Sequence, residues 1–522
     1  MPLRTPPRTR ERTWRAALAG AVAAGAALAV GSVPAAMAGE EVDPVTAVGN
    51  EVVDRYAASL KDLAVSLFGQ GDKVALVLGI VVVSLVLGAG LGVLALRRFA
   101  LAAAGFAAFG AVGLWAHLTD PAGGTGVPVW SAVMGVAAGV GVLALLLQGI
   151  SPWQPAARAP LDDPTVRTPP RRAFLAATGA AGGAAALVAV GAWSLRGRTR
   201  IDAQRASLVL PDPGRRTRVP DDGLVDAPGV SPYVTPNEDF YRIDTALVTP
   251  QVDVDSWRLR ITGMVDAPFE LTFDELVAME LVEEPVTLAC VSNEVGGDLV
   301  GNAVWLGVPL ATLLDRARVQ PGATQIVGRS VDDFTVGFPT KAATDGRIAL
   351  VAVGMNGEPL PAAHGYPARL VVAGLYGYVS ATKWLTEIEL TRLEDFDAFW
   401  IPRGWAKQAP VRTQSRIDVP RSGAEVAAGP VAVAGVAWAP DRGIRRVEVR
   451  VDDGPWEPAR LGAVAGDATW VQWVHRWDAE PGEHVLRCRA TDGTGETQPA
   501  ERRPPAPDGA TGHHAVRVRV QG

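Results

Sequence analysis

The sequence is 522 residues long, 48% hydrophobic and 20% charged, with a formal net charge of −6 and two cysteines. Residues 1–195 hold 14 Lys and Arg against 11 Asp and Glu, whereas residues 196–522 hold 35 against 44. This division excludes a single soluble domain. The acidic second part excludes a nucleic-acid partner, which needs a basic surface, and two cysteines are too few for a disulfide scaffold, an all-cysteine zinc site or an iron–sulfur cluster.

Residues 1–200 read as a membrane domain, an α-helical transmembrane bundle of four or five helices in contact with lipid. Its spans fall at about 16–38, 74–96, 99–119, 129–150 and 173–195, each near the 20 apolar residues that cross a hydrocarbon core of about 30 Å. Basic residues cluster at Arg4, Arg8, Arg10, Arg12 and Arg15, at Arg97–Arg98, and at Arg158, Arg167, Arg171 and Arg172. The intervening loops carry Glu40, Glu41, Asp43 and Asp120. Positive-inside bias therefore places the N-terminus in the cytoplasm and residues 196–522 outside; Arg196, Arg198 and Arg200 oppose that assignment. Ala36-Met37-Ala38 before Gly39 reads as a signal cleavage site whose use would leave four helices. Arg171-Arg172 followed by Phe174-Leu175 resembles a twin-arginine export signal, which moves domains already folded around a cofactor. Gly88, Gly90 and Gly92 read as helix packing. His117 is the only histidine before residue 200, so no haem is expected. No Asp, Glu, Lys or Arg sits mid-span, which argues against an ion path.

Residues 201–230, with Pro211, Pro213, Gly214, Pro220, Asp221 and Asp222, read as a linker. Over 231–404 short strand patterns (257–262, 270–273) alternate with short helical ones (273–279, 309–317), an α+β mixture. Cys290 sits at a strand end entering a Gly-rich turn. Three readings are open for it: a buried thiol, a disulfide with Cys488, or a thiolate ligand to a metal whose other ligands come from a cofactor. Further on, Arg369 and Lys383 flank a Gly/Tyr loop bearing Ser380 and Thr382. That set suits either an anion clamp or a solvated pair on two strands.

Four ordered segments carry a family resemblance: TPNEDFYR (235–242), TLACVSNEVGG (287–297) with AVWLGVPL (303–310), NGEPLPAAHGYPARL (356–370) and GYVSATKWLTEIEL (377–390). Together they resemble the sulfite oxidase family of molybdenum-cofactor enzymes over roughly 230–520. The resemblance implies a sulfite-oxidase-type molybdopterin-binding domain over 231–404 in which Cys290 ligates molybdenum beside a pyranopterin dithiolene. It further implies that Asn237, Tyr241, Arg242, Ser330, His364, Arg369, Ser380, Thr382 and Lys383 line the pterin and its phosphate. The expected reaction is two-electron oxygen-atom transfer on a small oxo-substrate, coupled to an electron donor or acceptor that the sequence does not identify. One departure bears on the substrate. Sulfite-oxidising members follow the cysteine with a Gly-Asn-Arg-Arg-type run, whereas this chain has Val291-Ser292-Asn293-Glu294. A sulfoxide or other neutral oxo-substrate then stands level with sulfite, and Arg403 is the catalytic candidate that could restore positive charge.

From 405 to 522 the pattern is all-β: 431–438, 446–452, 470–474 and 484–490 alternate, with Asp452-Asp453-Gly454 and Asp492-Gly493-Thr494 as turns. Trp438, Trp473 and Trp477 read as core, and Cys488 as an inert buried thiol. This part resembles the immunoglobulin-like domain that follows the cofactor domain in sulfite oxidases and supports dimerisation there, which implies a homodimer here. The leading expectation is a membrane-anchored molybdenum oxidoreductase on the outer face. The alternatives are a reductase of methionine-sulfoxide-type substrates and a non-catalytic immunoglobulin-like surface binding protein.

Overall fold

The computed structural model of the chain describes residues 9–38, 42–53, 72–120, 127–148, 171–196, 200–220 and 225–522. They form two compact units: Met1–Asp202 with Thr245–Pro250, and Ala203–Asp244 with Gln251–Gly522.

The first unit contains five helices long and apolar enough to cross a membrane: Glu11–Ala38, Ala75–Ala95, Phe99–Thr119, Val127–Gln148 and Arg171–Ala192. The first is interrupted at Ser32 into Thr9–Gly31 and Val33–Ala38, because Pro34 has no N–H to continue the ladder. Small residues let the helices touch through their backbones. A Cβ on Gly92 would lie 2.0 Å from the Ala16 carbonyl oxygen, and one on Gly20 would lie 2.1 Å from that of Gly88. Large apolar side chains such as Val86, Leu145 and Leu187 face outward, as suits a lipid-facing surface. Phe174 packs edge-on against Trp14, with ring centroids 5.9 Å apart, and Arg171 lies over the Trp14 ring. Arg4, Arg8, Glu40, Glu41, Arg158, Arg167 and Arg198, used above for orientation, lie outside the described residues. So do Gly39 of the cleavage motif and Asp221–Asp222.

In the second unit, the stretch 201–230 departs from the featureless linker its prolines suggest. A helix spans Arg200–Ser207, and within this unit its Gln204 donates to Asp253 at 3.0 Å. Arg215–Arg216 adds a parallel strand beside Val282 and Glu283, and its guanidinium groups meet Glu284 at 2.8 Å and Glu283 at 2.5 Å. The open edge of a strand recruits any chain that can pair with it. Pairing of that kind is invisible to local sequence pattern.

That edge belongs to a six-stranded sheet in the order Arg215–Arg216, Val282–Ala289, Val300–Pro309, Ala349–Met355, Arg369–Val372, with Glu358–Pro359 pairing on Ala349–Met355. A second sheet runs Phe269–Thr272, Arg258–Gly263, Leu385–Thr391, Gln325–Ser330, Thr335–Pro339. Its helix Phe273–Val277 starts at a capping box, Thr272 accepting from the Glu275 N–H while Glu275 accepts from that of Thr272. Asn356 and Gly357 have φ of 52° and 83°, the pairing that a two-residue hairpin turn requires. Together these elements make the α+β domain.

The C-terminal part is built of two sheets, one containing Gln414–Val419, Gly429–Trp438, Val471–Ala479 and Arg460–Leu461, the other Ala424–Ala427, His514–Gln521, Gly482–Asp492, Ile444–Val451 and Glu457–Pro458. Between them lies a core that includes Val433, Val449, Trp473, Leu486, Cys488 and Val516. Trp438, Trp473 and Trp477 are all buried. Trp470 belongs to the seam with the α+β domain. Its indole donates to the Tyr233 carbonyl at 2.8 Å and its backbone N–H to the Thr287 hydroxyl at 2.7 Å.

Candidate functional site

Cys290 follows directly on the strand Val282–Ala289, whose residues are almost all buried because it lies inside the sheet. Its N–H donates to the Leu299 carbonyl at 2.9 Å, and Asn293 N–H donates back to the Cys290 carbonyl at 3.1 Å. The Asn293 side-chain oxygen accepts from Leu299 N–H at 2.9 Å, so the loop 290–299 is tied at both ends. Gly296 has φ of 82° and passes so close to His514 that a Cβ would meet its ring at 2.2 Å. Cys290 is buried, Cys488 is buried in the C-terminal core, and neither is in a disulfide. The disulfide alternative is thereby excluded. Burial pushes the Cys488 thiol up to about 12, which suits the inert role expected of it.

The second wall is built from three segments. The Asn356 amide, at the hairpin tip, donates to the Thr235 carbonyl at 2.9 Å and to the Asn237 side-chain oxygen at 2.8 Å. Asn237 donates in turn to Glu358 at 2.5 Å and through its carbonyl accepts from His364 Nε2 at 3.0 Å. His364 closes a short turn that ends at Gly365, φ 106°, where a Cβ would lie 2.9 Å from the Lys383 backbone. Trp384 sits at φ 49°, strained for a bulky residue. It is held there by its indole donating to the Ala362 carbonyl at 2.9 Å, and Lys383 thereby turns inward.

Two cations are buried here. Arg369, 4% exposed, lies over the Trp305 ring at 4.9 Å and donates to the His364 carbonyl at 3.0 Å. Among the described residues it pairs with no carboxylate. Burial pushes its guanidinium down to about 10, a value at which it keeps its charge at neutral pH. Lys383, 8% exposed, donates to Asp244 at 3.1 Å and to the Ala363 carbonyl at 3.0 Å. Burial takes it down to about 8, against the pull of Asp244. Arg242 reaches the same Asp244 from the exposed side at 3.0 Å. Tyr241 links the walls: burial first, and then the negative charge of Cys290, raise its phenol well above the ordinary value, while Arg369 opposes both. Tyr376, raised to about 12 chiefly by burial, also feels Cys290.

The fold therefore gathers Asn237, Tyr241, Arg242, His364, Arg369 and Lys383 into one linked cluster with Cys290 beside it. Ser330 is buried and faces Asp332, whose carboxyl is raised by burial and which feels Asp244. Ser380 is placed differently from a phosphate donor: its hydroxyl is taken by the Tyr376 carbonyl at 3.1 Å, one turn back in the helix Gly377–Ser380. Thr382 is fully buried over Gly328. Arg403 lies over the Phe399 ring at 3.7 Å and donates to the Phe399 carbonyl at 2.6 Å. Sequence reasoning missed Asp244, Trp305 and Tyr376. The spacing Arg242-Ile243-Asp244 could have signalled the first; Trp305 comes from the strand Val300–Pro309, and Tyr376 from the turn that opens the helix Gly377–Ser380.

The cluster carries donors that an anionic, polar group needs. Besides the two cations, His364 Nδ1, Asn293 Nδ2 in the loop after Cys290 and Thr382 Oγ1 next to Lys383 are buried with no hydrogen-bond partner among the described residues, a condition native interiors rarely leave unanswered. No group of three or more His, Cys, Asp or Glu among the described residues could hold a metal ion. A metal at Cys290 would therefore take its other ligands from a cofactor.

The histidines add a pH dependence. Burial, then Lys383 and Arg369, push His364 down to about 4; burial, then Arg416, do the same to His514, whose Nδ1 accepts from Ile417 N–H at 3.0 Å. Their folded pKa values lie below the ordinary 6.5, so the unfolded chain binds more protons and stability is lost as pH falls from 6.5 to 4. The thermal midpoint of cofactor-free protein should drop over this window, and less steeply for His514→Gln. An equal slope in both proteins would contradict the burial argument for His514.

Residues 246–400 match the family model described as "Oxidoreductase molybdopterin binding domain". The mitochondrial sulfite oxidase of Macaca fascicularis is 29% identical over 316 residues, which cover 51% of this chain and 57% of that protein. The sulfite oxidase of Arabidopsis thaliana is 30% identical over 273 residues, covering 43% and 69%. An uncharacterized oxidoreductase of Bacillus subtilis (strain 168) is 31% identical over 176 residues, covering 33% and 85%. The chain thus spans 57% of the length of the mammalian sulfite oxidases it matches.

Proposed function

The chain belongs to the molybdopterin-binding oxidoreductase family of the sulfite oxidases, and from that premise we propose a membrane-anchored enzyme that moves an oxygen atom to or from a small oxo-substrate. The observation that carries this reading is Arg369, a buried cation with no carboxylate partner among the described residues, which shares the neighbouring Tyr241 with the buried thiol of Cys290. An unpaired charge is expensive to bury, and a bound anion offsets that cost. Arg369 and Lys383 would hold the phosphate of molybdopterin. Neutral His364, Thr382 and Asn237 would border the pterin, and Cys290 would supply the protein's thiolate to molybdenum. Bound there, the cofactor supplies two-electron oxygen-atom transfer. Tyr241, its phenol held protonated, would donate to the Cys290 thiolate and accept from the Arg369 guanidinium.

For the substrate, a neutral oxo-compound such as a sulfoxide is favoured over sulfite by one observation. The loop after Cys290 presents the buried Asn293 amide and the acidic Glu294 where a sulfite-binding run would carry arginines. The five apolar helices support anchoring, and Arg171-Arg172 supports export of the second unit to the outer face. The two-sheet C-terminal part supports an immunoglobulin-like domain that pairs two copies.

Protein purified from a cofactor-replete host is expected to hold about one molybdenum and one pterin per chain, and Cys290→Ala should lose the metal. Metal-free wild type, or full retention in Cys290→Ala, would refute the assignment. On intact cells, external protease should release fragments of residues 203–522; complete protection would place that unit inside.

A further inference from the structure

The helices of the first unit surround a cavity of about 60 Å³, partly open at its mouth, well above the roughly 10–15 Å³ that a single water needs. Phe106, Phe109, Ala132 and Val136 line it, and so do three buried polar side chains, Ser84, His117 and Ser131, the last two each 1% exposed.

Ser131 is the informative residue. A serine inside an apolar helix ordinarily satisfies its hydroxyl on the carbonyl one turn back, as Ser84 in the same wall does on Ile80 at 2.8 Å. Ser131 is the fifth residue of the helix Val127–Gln148, so the Val127 carbonyl stands one turn before it. Its hydroxyl nonetheless has no partner among the described residues. A buried donor without an acceptor is unfavourable, and a hydrocarbon tail would leave it so. A flat ring carrying a carbonyl would satisfy the hydroxyl and lie against the two phenylalanines.

We propose that this cavity binds the ring of a lipid-soluble quinone, with Ser131 donating to one quinone carbonyl. The choice of a quinone among carbonyl compounds rests on the oxidoreductase reading above. Quinol yields quinone, two electrons and two protons, and a sulfoxide plus two electrons and two protons yields the sulfide and water, so the counts match. The assignment of the cavity itself rests on Ser131 and the wall chemistry.

The test is calorimetric titration of the full chain in detergent micelles with decylubiquinone, with decylbenzene as a competitor of similar tail and no carbonyl. Saturable binding of one decylubiquinone per chain is expected, weakened at least fivefold by Ser131→Ala and lost in Ala132→Phe, which fills the cavity. Decylbenzene should not displace it. Equal displacement by decylbenzene, an unchanged Kd in Ser131→Ala, or no saturable binding overturns the proposal. The competition uses wild-type protein and decides the matter even where a variant folds poorly. Binding should persist in Cys290→Ala, so failure of the cavity and failure of the molybdenum assignment are read separately.

Discussion

Arg369→Met is expected to lower cofactor retention at least tenfold while leaving the cofactor-free protein folded and more stable, by on the order of 1–3 kcal/mol. In the wild type the guanidinium is buried over Trp305, with a carbonyl rather than a carboxylate for company. Methionine fills a similar volume and removes the uncompensated charge. What it also removes is a charge-assisted bond to phosphate, worth roughly 1.5–3 kcal/mol, or about ten- to a hundredfold in affinity. Arg369→Lys should recover little of this, since an ammonium lacks the planar fork that stacks on Trp305 and bonds a phosphate at two points. The measurements are thermal unfolding of apo protein and pterin content after gel filtration. A variant that is less stable without cofactor yet keeps its pterin would show that Arg369 is structural.

The second large effect is expected at Trp470. This residue is 2% exposed and ties the C-terminal sheets to the α+β domain through Tyr233 and Thr287. Trp470→Ala should cost about 3–5 kcal/mol, as truncation of a buried tryptophan does. Thr287 also donates to Asn302 at 3.0 Å and stands three residues before Cys290 on the same strand. The variant should therefore label faster at Cys290 with a thiol reagent in the cofactor-free state. A loss below about 1 kcal/mol with unchanged labelling would mean that the seam does not support the Cys290 strand.

Much of the site was legible because its residues crowd into one stretch. His364, Arg369 and Lys383 lie within 20 positions, and the Gly/Tyr loop between them announces a turn. Cys290 was recognisable at the end of its strand for the same local reason. Which hydroxyls are free was not legible: Ser380 and Thr382 look alike in sequence, yet one is satisfied within its own helical turn and the other is left without a partner among the described residues. Nor was the role of Asp244, which comes from 139 positions away to meet Lys383, or the strand Arg215–Arg216 inside an apparent linker.

Local pattern sets the chain's division into apolar helices, an α+β stretch and a β-rich end, and it marks one cysteine as closing a strand. Period and hydropathy depend on neighbours a few residues apart, and they survive in any arrangement of the whole. Long-range packing alone buries Arg369 with no carboxylate among the described residues, joins Trp470 to Thr287, and turns Ser131 to a cavity with its hydroxyl unanswered among the described residues. Desolvation and pairing are set by groups brought together across the chain, and no local pattern encodes what will lie opposite a side chain once water is gone.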